Sequence, residues 1–213
     1  MIRAYHLDVP RLADHQQRRR QITDAARTLV ARQGLRAATF QAVAAEVGVS
    51  VRLVQYYFGS KEDVLRATRD AVAADAGRRF AERLAELGED AAPRDVIRAI
   101  VTEVLPIDAR RREDAIVLDT FFLEALTGER SPDVPTDDSD GASQYLVDVM
   151  RQTIARSRAG SPEQEHADID ARLIVAAAAG LAQTMLVDAA IARRAEEHID
   201  RLLDRMLPQS AKD

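Results

Sequence analysis

Residues 40–57 read FQAVAAEVGVSVRLVQYY, and this stretch decides the fold. It carries two short helical patterns joined by Gly48-Val49-Ser50. Ala44 is small where two crossing helices need to approach closely, and a larger side chain there would push them apart. Gly48 stands where the tight turn needs a positive φ, which glycine adopts at no steric cost. Val43, Val47, Val49, Val54 and Tyr57 occupy the apolar positions that weld the pair together. Each feature alone is common, but their agreement over 18 residues specifies a helix-turn-helix.

In such a unit the second helix lies in the major groove of DNA, with its N-terminal half toward the base edges. Here that half runs from Ser50 to Tyr56. If Val54 faces inward, then Val51, Arg52 and Gln55 point outward together, and these three are the candidate base-reading residues. Arg bonds guanine O6 and N7 in a bidentate pair, Gln does the same with adenine, and each contact discriminates by roughly 1–3 kcal/mol. An exposed Arg or Gln is ordinarily solvated surface; the surrounding motif reverses that reading. Thr39, Ser50, Tyr56 and Lys61 sit at helix starts or on the same edge. They suit phosphate contacts, which fix register without reading sequence. Arg18, Arg19 and Arg20 either add to this basic surface or form a charged lead-in.

Outward from this stretch, helical spacing dominates and no alternating strand pattern emerges. Asp14 and Gln17 resemble a loose capping pair before Ile22, Ala25, Ala26, Leu29 and Val30, and Gly34 ends that helix. Thr39 caps a helix ending at Gly48, Ser50 one running to about Phe58, and Ser60 a long one marked by Val64, Leu65, Val72, Phe80 and Leu87. Pro93 begins the next, Pro106 and Asp108 interrupt the chain, and a further helix ends near Gly128. Residues 129–140, rich in Pro, Asp and Ser, read as a mobile loop, its Asp cluster as a solvated acidic surface. Beyond it come a helix with Tyr145 to Ile154, a helix start at Ser161-Pro162-Glu163-Gln164, a helix from Ile169 to Ile191, and a last one with Ile199 to Leu207. The expectation is an all-α protein of about nine helices. It divides into an N-terminal arm at 1–14, a three-helix DNA-binding domain at 15–62, and a helical body at 63–213.

Charge supports that division. Residues 1–70 hold 12 Lys and Arg against 7 Asp and Glu, whereas residues 71–213 hold 18 against 28. A basic head on an acidic body suits an anionic partner at one end, although the whole chain carries −5. There is no cysteine, and the four histidines never fall at an i, i+4 spacing, so no metal site and no cofactor is expected. No Gly-rich phosphate loop and no Ser-His-Asp arrangement appears, which argues against an enzyme. Neither a signal-peptide pattern nor an uncharged apolar span appears, so the expected protein is soluble and cytoplasmic, near the nucleoid and without a membrane partner.

Residues 18–65 closely resemble the DNA-binding domain of the TetR family of bacterial repressors. The resemblance rests on Ile22, Ala25-Ala26, Gly34, Thr39, Val43-Ala44 and Gly48-Val49-Ser50. It closes on Tyr57-Phe58-x-Ser60-Lys61-Glu62 running into Leu65. It implies phosphate contacts from Thr39, Ser50, Tyr56 and Lys61, adds Tyr57 to them, and brings Arg52 and Gln55 near bases. Two departures matter, because the family usually has Gly at Arg52 and Tyr at Gln55; both changes introduce base-reading side chains. Leu105-Pro106-x-Asp108, Arg111-Arg112 and Phe121 look like the body of the choline-responsive BetI branch. Those are packing positions, and they do not carry choline across as the ligand.

In this family the body makes a homodimer and encloses a ligand cavity. The small-residue run around Ala176, Ala179 and Gly180 suits a close helix–helix dimer interface, or else a buried helix within one subunit. Phe121, Phe122, Met150, Gln183, Thr184 and Met185 are candidates for a mixed apolar and polar pocket lining. Asp188 and Glu124 could face a cationic ligand. The function expected is a dimeric, ligand-responsive repressor bound to a pseudo-palindromic double-stranded operator and released by an unidentified small molecule. The alternative is an activator, or a regulator controlled by a protein partner.

Overall fold

The computed structural model describes residues 9–88, 90–127, 139–158, 160 and 162–207. Among them are ten α-helices, two short 3-10 turns and no strand. In order these are α1 (Val9–Gln33), a 3-10 turn (Leu35–Ala37), α2 (Phe40–Val47), α3 (Val51–Tyr57), α4 (Lys61–Leu87), α5 (Pro93–Val104) and α6 (Ala109–Thr127). They continue with α7 (Ser139–Ser157), a 3-10 turn (Pro162–His166), α8 (Ala167–Val187), α9 (Ala189–Arg193) and α10 (Ala195–Met206). Two compact units emerge, Met1–Ala71 and Val72–Asp213, so the division falls inside α4 and not at residue 62.

Several elements differ from the sequence expectation. The first helix is already formed at Val9, so Asp14 and Gln17 lie within it, and residues 9–14 of the expected arm are helical. Pro10 in its opening turn costs little there, because the first amides of a helix have no intrahelical partner anyway. The expected Ile169–Ile191 helix is broken at Asp188, which accounts for the tenth helix. Asp188 adopts extended geometry (φ −120°, ψ 103°), and its carboxylate accepts from the amides of Ala190 and Ile191, starting α9. An acid that can cap a helix competes with continuing one. This capping role also uses the carboxylate considered for a cation. Pro162 opens a 3-10 turn, with α8 following at Ala167. Gly128, Ser161 and most of the expected 129–140 loop lie outside the described residues; Ser139 and Asp140 already belong to α7.

The first unit packs α1 to α3 and the start of α4 around Ile22, Ala26, Val30, Val43, Ala44, Val54, Phe58 and Val64, all buried. Ala44 is closed off at the helix crossing, as its size requires. The second unit has a core drawn from α4, α5, α7, α8 and α10, with Ile97, Ile100, Leu105, Met150, Ile154, Ile174, Met185, Ile199 and Leu203 at its centre. Beside it, α4, α5 and α6 are tied by charge. Arg79 donates to Glu103 at 2.9 Å and to Asp114 at 3.1 Å, Arg110 to Asp75 at 2.8 Å, and Arg111 to both Glu103 and Asp108.

One face of α8 does not enter that core. Ile169, Leu173, Ala176, Ala177, Ala179, Gly180, Gln183, Thr184 and Val187 are all exposed, Leu173 at 52% and Val187 at 87%. By length and composition the segment Pro162–Val187 could cross a membrane. Its opposite face, however, carries Ala171, Ile174, Ala178, Ala182 and Met185 into the core.

Candidate nucleic-acid interface

A helix of seven residues rich in Val and Tyr has little intrinsic stability, so α3 depends on its caps and its neighbours. Ser50 Oγ accepts from the Leu53 amide at 3.2 Å and starts the helix. Val54 is wholly buried against the unit's core, and the Phe58 amide donates to the Val54 carbonyl at 2.9 Å. The preceding helix is fixed in the same way. Thr39 Oγ1 accepts from the Ala42 amide at 3.1 Å, and Gly48 ends α2 in the left-handed region at φ 76°, ψ 35°. That positive φ is what the sequence requires of Gly48.

With Val54 inward, Arg52 and Gln55 are both exposed, and Val51 is half-exposed beside them. One turn of helix separates Arg52 from Gln55, so the two polar heads share a face. Thr39, Ser50 and Tyr56 are exposed too, Tyr56 at 75%, and Tyr57 and Lys61 are half-buried. Thr39 and Ser50 use one lone pair in capping and keep a hydroxyl proton for a further acceptor. Lys61 Nζ donates to the Arg36 carbonyl at 3.4 Å, which ties the start of α4 to the 3-10 turn before α2. Ser60 and Asp63 cap each other at the start of α4. The Asp63 amide donates to Ser60 Oγ at 3.1 Å, and the Ser60 amide donates to Asp63 Oδ2 at 3.1 Å. This is a capping box with Asp in the third position.

In sequence Arg18, Arg19 and Arg20 are alike, and the structure separates them. Arg19 Nη1 donates to the Tyr57 carbonyl at 2.7 Å, and its guanidinium carbon lies 4.2 Å from the Phe58 ring centroid. One turn earlier, the His15 ring is 4.7 Å from that of Tyr57, and Tyr57 in turn meets Tyr56 edge-on at 5.3 Å. Arg18 is turned to Gln21, and Arg20 is exposed. No local pattern marks Arg19, because its partner is 38 residues away. Buried arginines at 27 and 69 are also removed from any outer basic surface.

In the body, Phe121, Met150 and Met185 are buried, but Phe122 is 55% exposed and Gln183 and Thr184 are exposed. The six do not form one wall. Helical spacing explains it: Gln183 and Thr184 follow Gly180 by three and four residues, so they lie on the face of Ala176, Ala179 and Gly180. Thr184 Oγ1 donates to the Gly180 carbonyl at 2.8 Å. Asp119 on α6 is half-buried and hydrogen-bonded to Gln183, and burial pushes its carboxyl above the ordinary value despite that bond. The Leu105-Pro106 pair is buried, and Asp108 receives the Arg111 amide at 2.8 Å, so this motif serves the α5–α6 corner. Among the described residues no group of three or more His, Cys, Asp or Glu could hold a metal ion.

Residues 22–68 match the family model for bacterial regulatory proteins of the tetR family. The BetI transcriptional regulator of Brucella anthropi is 26% identical over 71% of this chain and 76% of its own. A transcriptional regulator from a Rhodococcus species superposes with a TM-score of 0.71 at 23% identity, covering 88% of this chain and 96% of that one. A regulator from Saccharomonospora viridis in complex with choline superposes with a TM-score of 0.65 at 23% identity, over 89% and 96% of the two chains. At these identities the structural likeness is one of fold.

Proposed function

Because this chain belongs to the TetR family of bacterial transcriptional regulators, we propose that it is a homodimeric repressor released from its operator by a small molecule. The observation that carries the DNA reading is the pair Arg52 and Gln55, exposed together on the outer face of a helix pinned at both ends. In this reading they hydrogen-bond base edges with Val51 packing beside them, while Thr39, Ser50, Tyr56, Tyr57 and Lys61 contact phosphates. What supports dimerisation is the uncovered apolar face of α8, with Ala176, Ala179 and Gly180 at its centre. Their small size lets a second copy approach closely. Two recognition helices then face successive major grooves about 34 Å apart on a pseudo-palindrome.

The effector site belongs to the body, with Phe121, Met150 and Met185 as its apolar candidates and Gln183 and Thr184 transferred to the dimer face. Choline, bound by the Saccharomonospora viridis regulator, is the first compound to test. An effector releases DNA only by favouring the body conformation that spaces the two heads wrongly, and by linkage operator DNA weakens effector binding by the same factor. The protein acts in the cytoplasm, at the nucleoid.

Titrating duplex DNA with the purified protein at several salt concentrations tests the DNA reading. Binding should weaken with a slope of about −0.9 per neutralised phosphate in log K against log salt, and Lys61→Ala should make that slope shallower by about 1. No binding at low salt would sink the reading. An unchanged slope would remove Lys61 from the phosphate contacts.

A further inference from the structure

We infer that Arg19, on α1, is a positioning residue for base recognition: it sets the pose of the recognition helix without touching DNA. The inference rests on the DNA-binding reading above and deepens it. The last carbonyls of any helix lack intrahelical partners, and in a helix of seven residues they are a large share of the backbone. In α3 the Val54 carbonyl is satisfied by the Phe58 amide, and the Tyr57 carbonyl by Arg19 at 2.7 Å. The same guanidinium lies over the buried Phe58 ring at 4.2 Å, a cation–π contact. One planar group thus grips the end of α3 through both its backbone and the next side chain. His15 adds a ring contact to Tyr57 from the same face of α1.

Gln55 lies two residues before the gripped carbonyl and Arg52 five before it. At its other end α3 is fixed by the Ser50 cap, with the Leu53 and Val54 amides donating to the Ser50 carbonyl. Hydrogen bonds to base edges weaken steeply with small errors in distance and angle, so a looser C-terminal end degrades both contacts at once. Arg19 is half-buried with its guanidinium facing Tyr57 and Phe58, so its charge acts inside the unit. A phosphate contact and a positioning role therefore make different predictions.

The test uses the full chain with Arg19→Lys, which keeps the charge but loses the planar fork, and Arg19→Met, which keeps the stem alone. A duplex selected by the wild type from a random-sequence pool is compared with random-sequence duplex of equal length across a range of salt. Both variants should keep wild-type circular dichroism, lose about tenfold in affinity for the selected duplex, and keep their affinity and salt slope on random duplex. Equal loss on both duplexes in Arg19→Met, with the slope shallower by about 0.9 there and unchanged in Arg19→Lys, would make Arg19 a phosphate contact and overturn the inference. Unchanged affinity for the selected duplex would overturn it as well. Loss of helical signal in both variants would replace it with a folding role. If the wild type selects no sequence, the DNA-binding reading falls and the positioning role with it.

Discussion

Arg79 on α4 reaches Asp114 on α6, its Nη2 3.1 Å from the carboxylate, while its Nε meets Glu103 on α5 at 2.9 Å. Asp114 is buried and Glu103 largely so. One guanidinium therefore holds three helices of the body, and it does so on α4, the helix that begins in the DNA-binding unit.

Removing that cation leaves Glu103 with Arg111 and Asp114 with the more distant Arg110, at 4.0 Å. Arg79→Leu should cost about 3 kcal/mol in urea unfolding. Arg83, one turn further on, pairs with Glu86 at 2.9 Å on the exposed surface, and Arg83→Leu should cost less than about 1 kcal/mol. Similar costs for the two would show that burial does not govern this network.

Gly48 isolates backbone strain from packing. A Cβ built there meets nothing within 4 Å, yet φ is +76°. Gly48→Ala should therefore destabilise by about 1–2 kcal/mol through conformation alone, and Gly48→Asn by less, since Asn tolerates the left-handed region. Thermal unfolding of the two variants checks the order; an Asn variant worse than the Ala one would contradict it.

The helix-turn-helix was legible because its determinants are local. Thr39, Gly48 and Ser50 act on backbone within three residues of themselves, and Val43, Ala44 and Val54 follow helical spacing. What is non-local was not legible. Arg19 looks like its neighbours until Tyr57 is brought to it from another helix. On α8, periodicity sorts residues into two faces but cannot tell which enters the core. Spacing alone therefore places Gln183 and Thr184 in a pocket and Gly180, on the same face, in an interface. Asp188 reads in sequence as one residue of a continuous helix, because an Asp at such a position can either continue a helix or cap a new one.

Asp108 and Asp119 shift in opposite directions. Burial alone would raise Asp108, but the amide and guanidinium of Arg111 outweigh it and hold the carboxyl below its ordinary 3.8. Its contribution to stability is present above that value and is lost as pH falls through the lower folded pKa. Burial pushes Asp119 above 3.8, with the Gln183 hydrogen bond opposing. Asp119 therefore binds its proton more tightly folded than unfolded. It costs stability above its folded pKa, and the cost disappears in acid. Urea unfolding at neutral pH should show Asp119→Asn more stable than wild type and Asp108→Asn less stable. Both differences should shrink as the pH is lowered below about 3.8. A gain for Asp119→Asn that persists in acid would contradict this assignment.

The α8 face makes a prediction about association. Leu173 is 52% exposed, so Leu173→Glu should leave the fold of a single chain intact. Sedimentation equilibrium should show dimerisation weakened about 100-fold, because the new carboxylate would be buried without a partner. A Cβ added at Gly180 meets nothing within 4 Å of its own chain, so any effect of Gly180→Ala on association reports contact with a second copy. A wild type that stays monomeric, or a Leu173→Glu variant that dimerises normally, would sink the proposed interface.

The most direct test of the central claim is selection of genomic DNA fragments by the purified wild type beside an Arg52→Ala, Gln55→Ala double variant. The wild type should enrich one pseudo-palindrome, while the variant should still bind DNA weakly but enrich no sequence. Enrichment of the same sequence by both proteins would contradict the assignment of Arg52 and Gln55 as the residues that read bases. Enrichment by neither would contradict the DNA-binding reading of this chain.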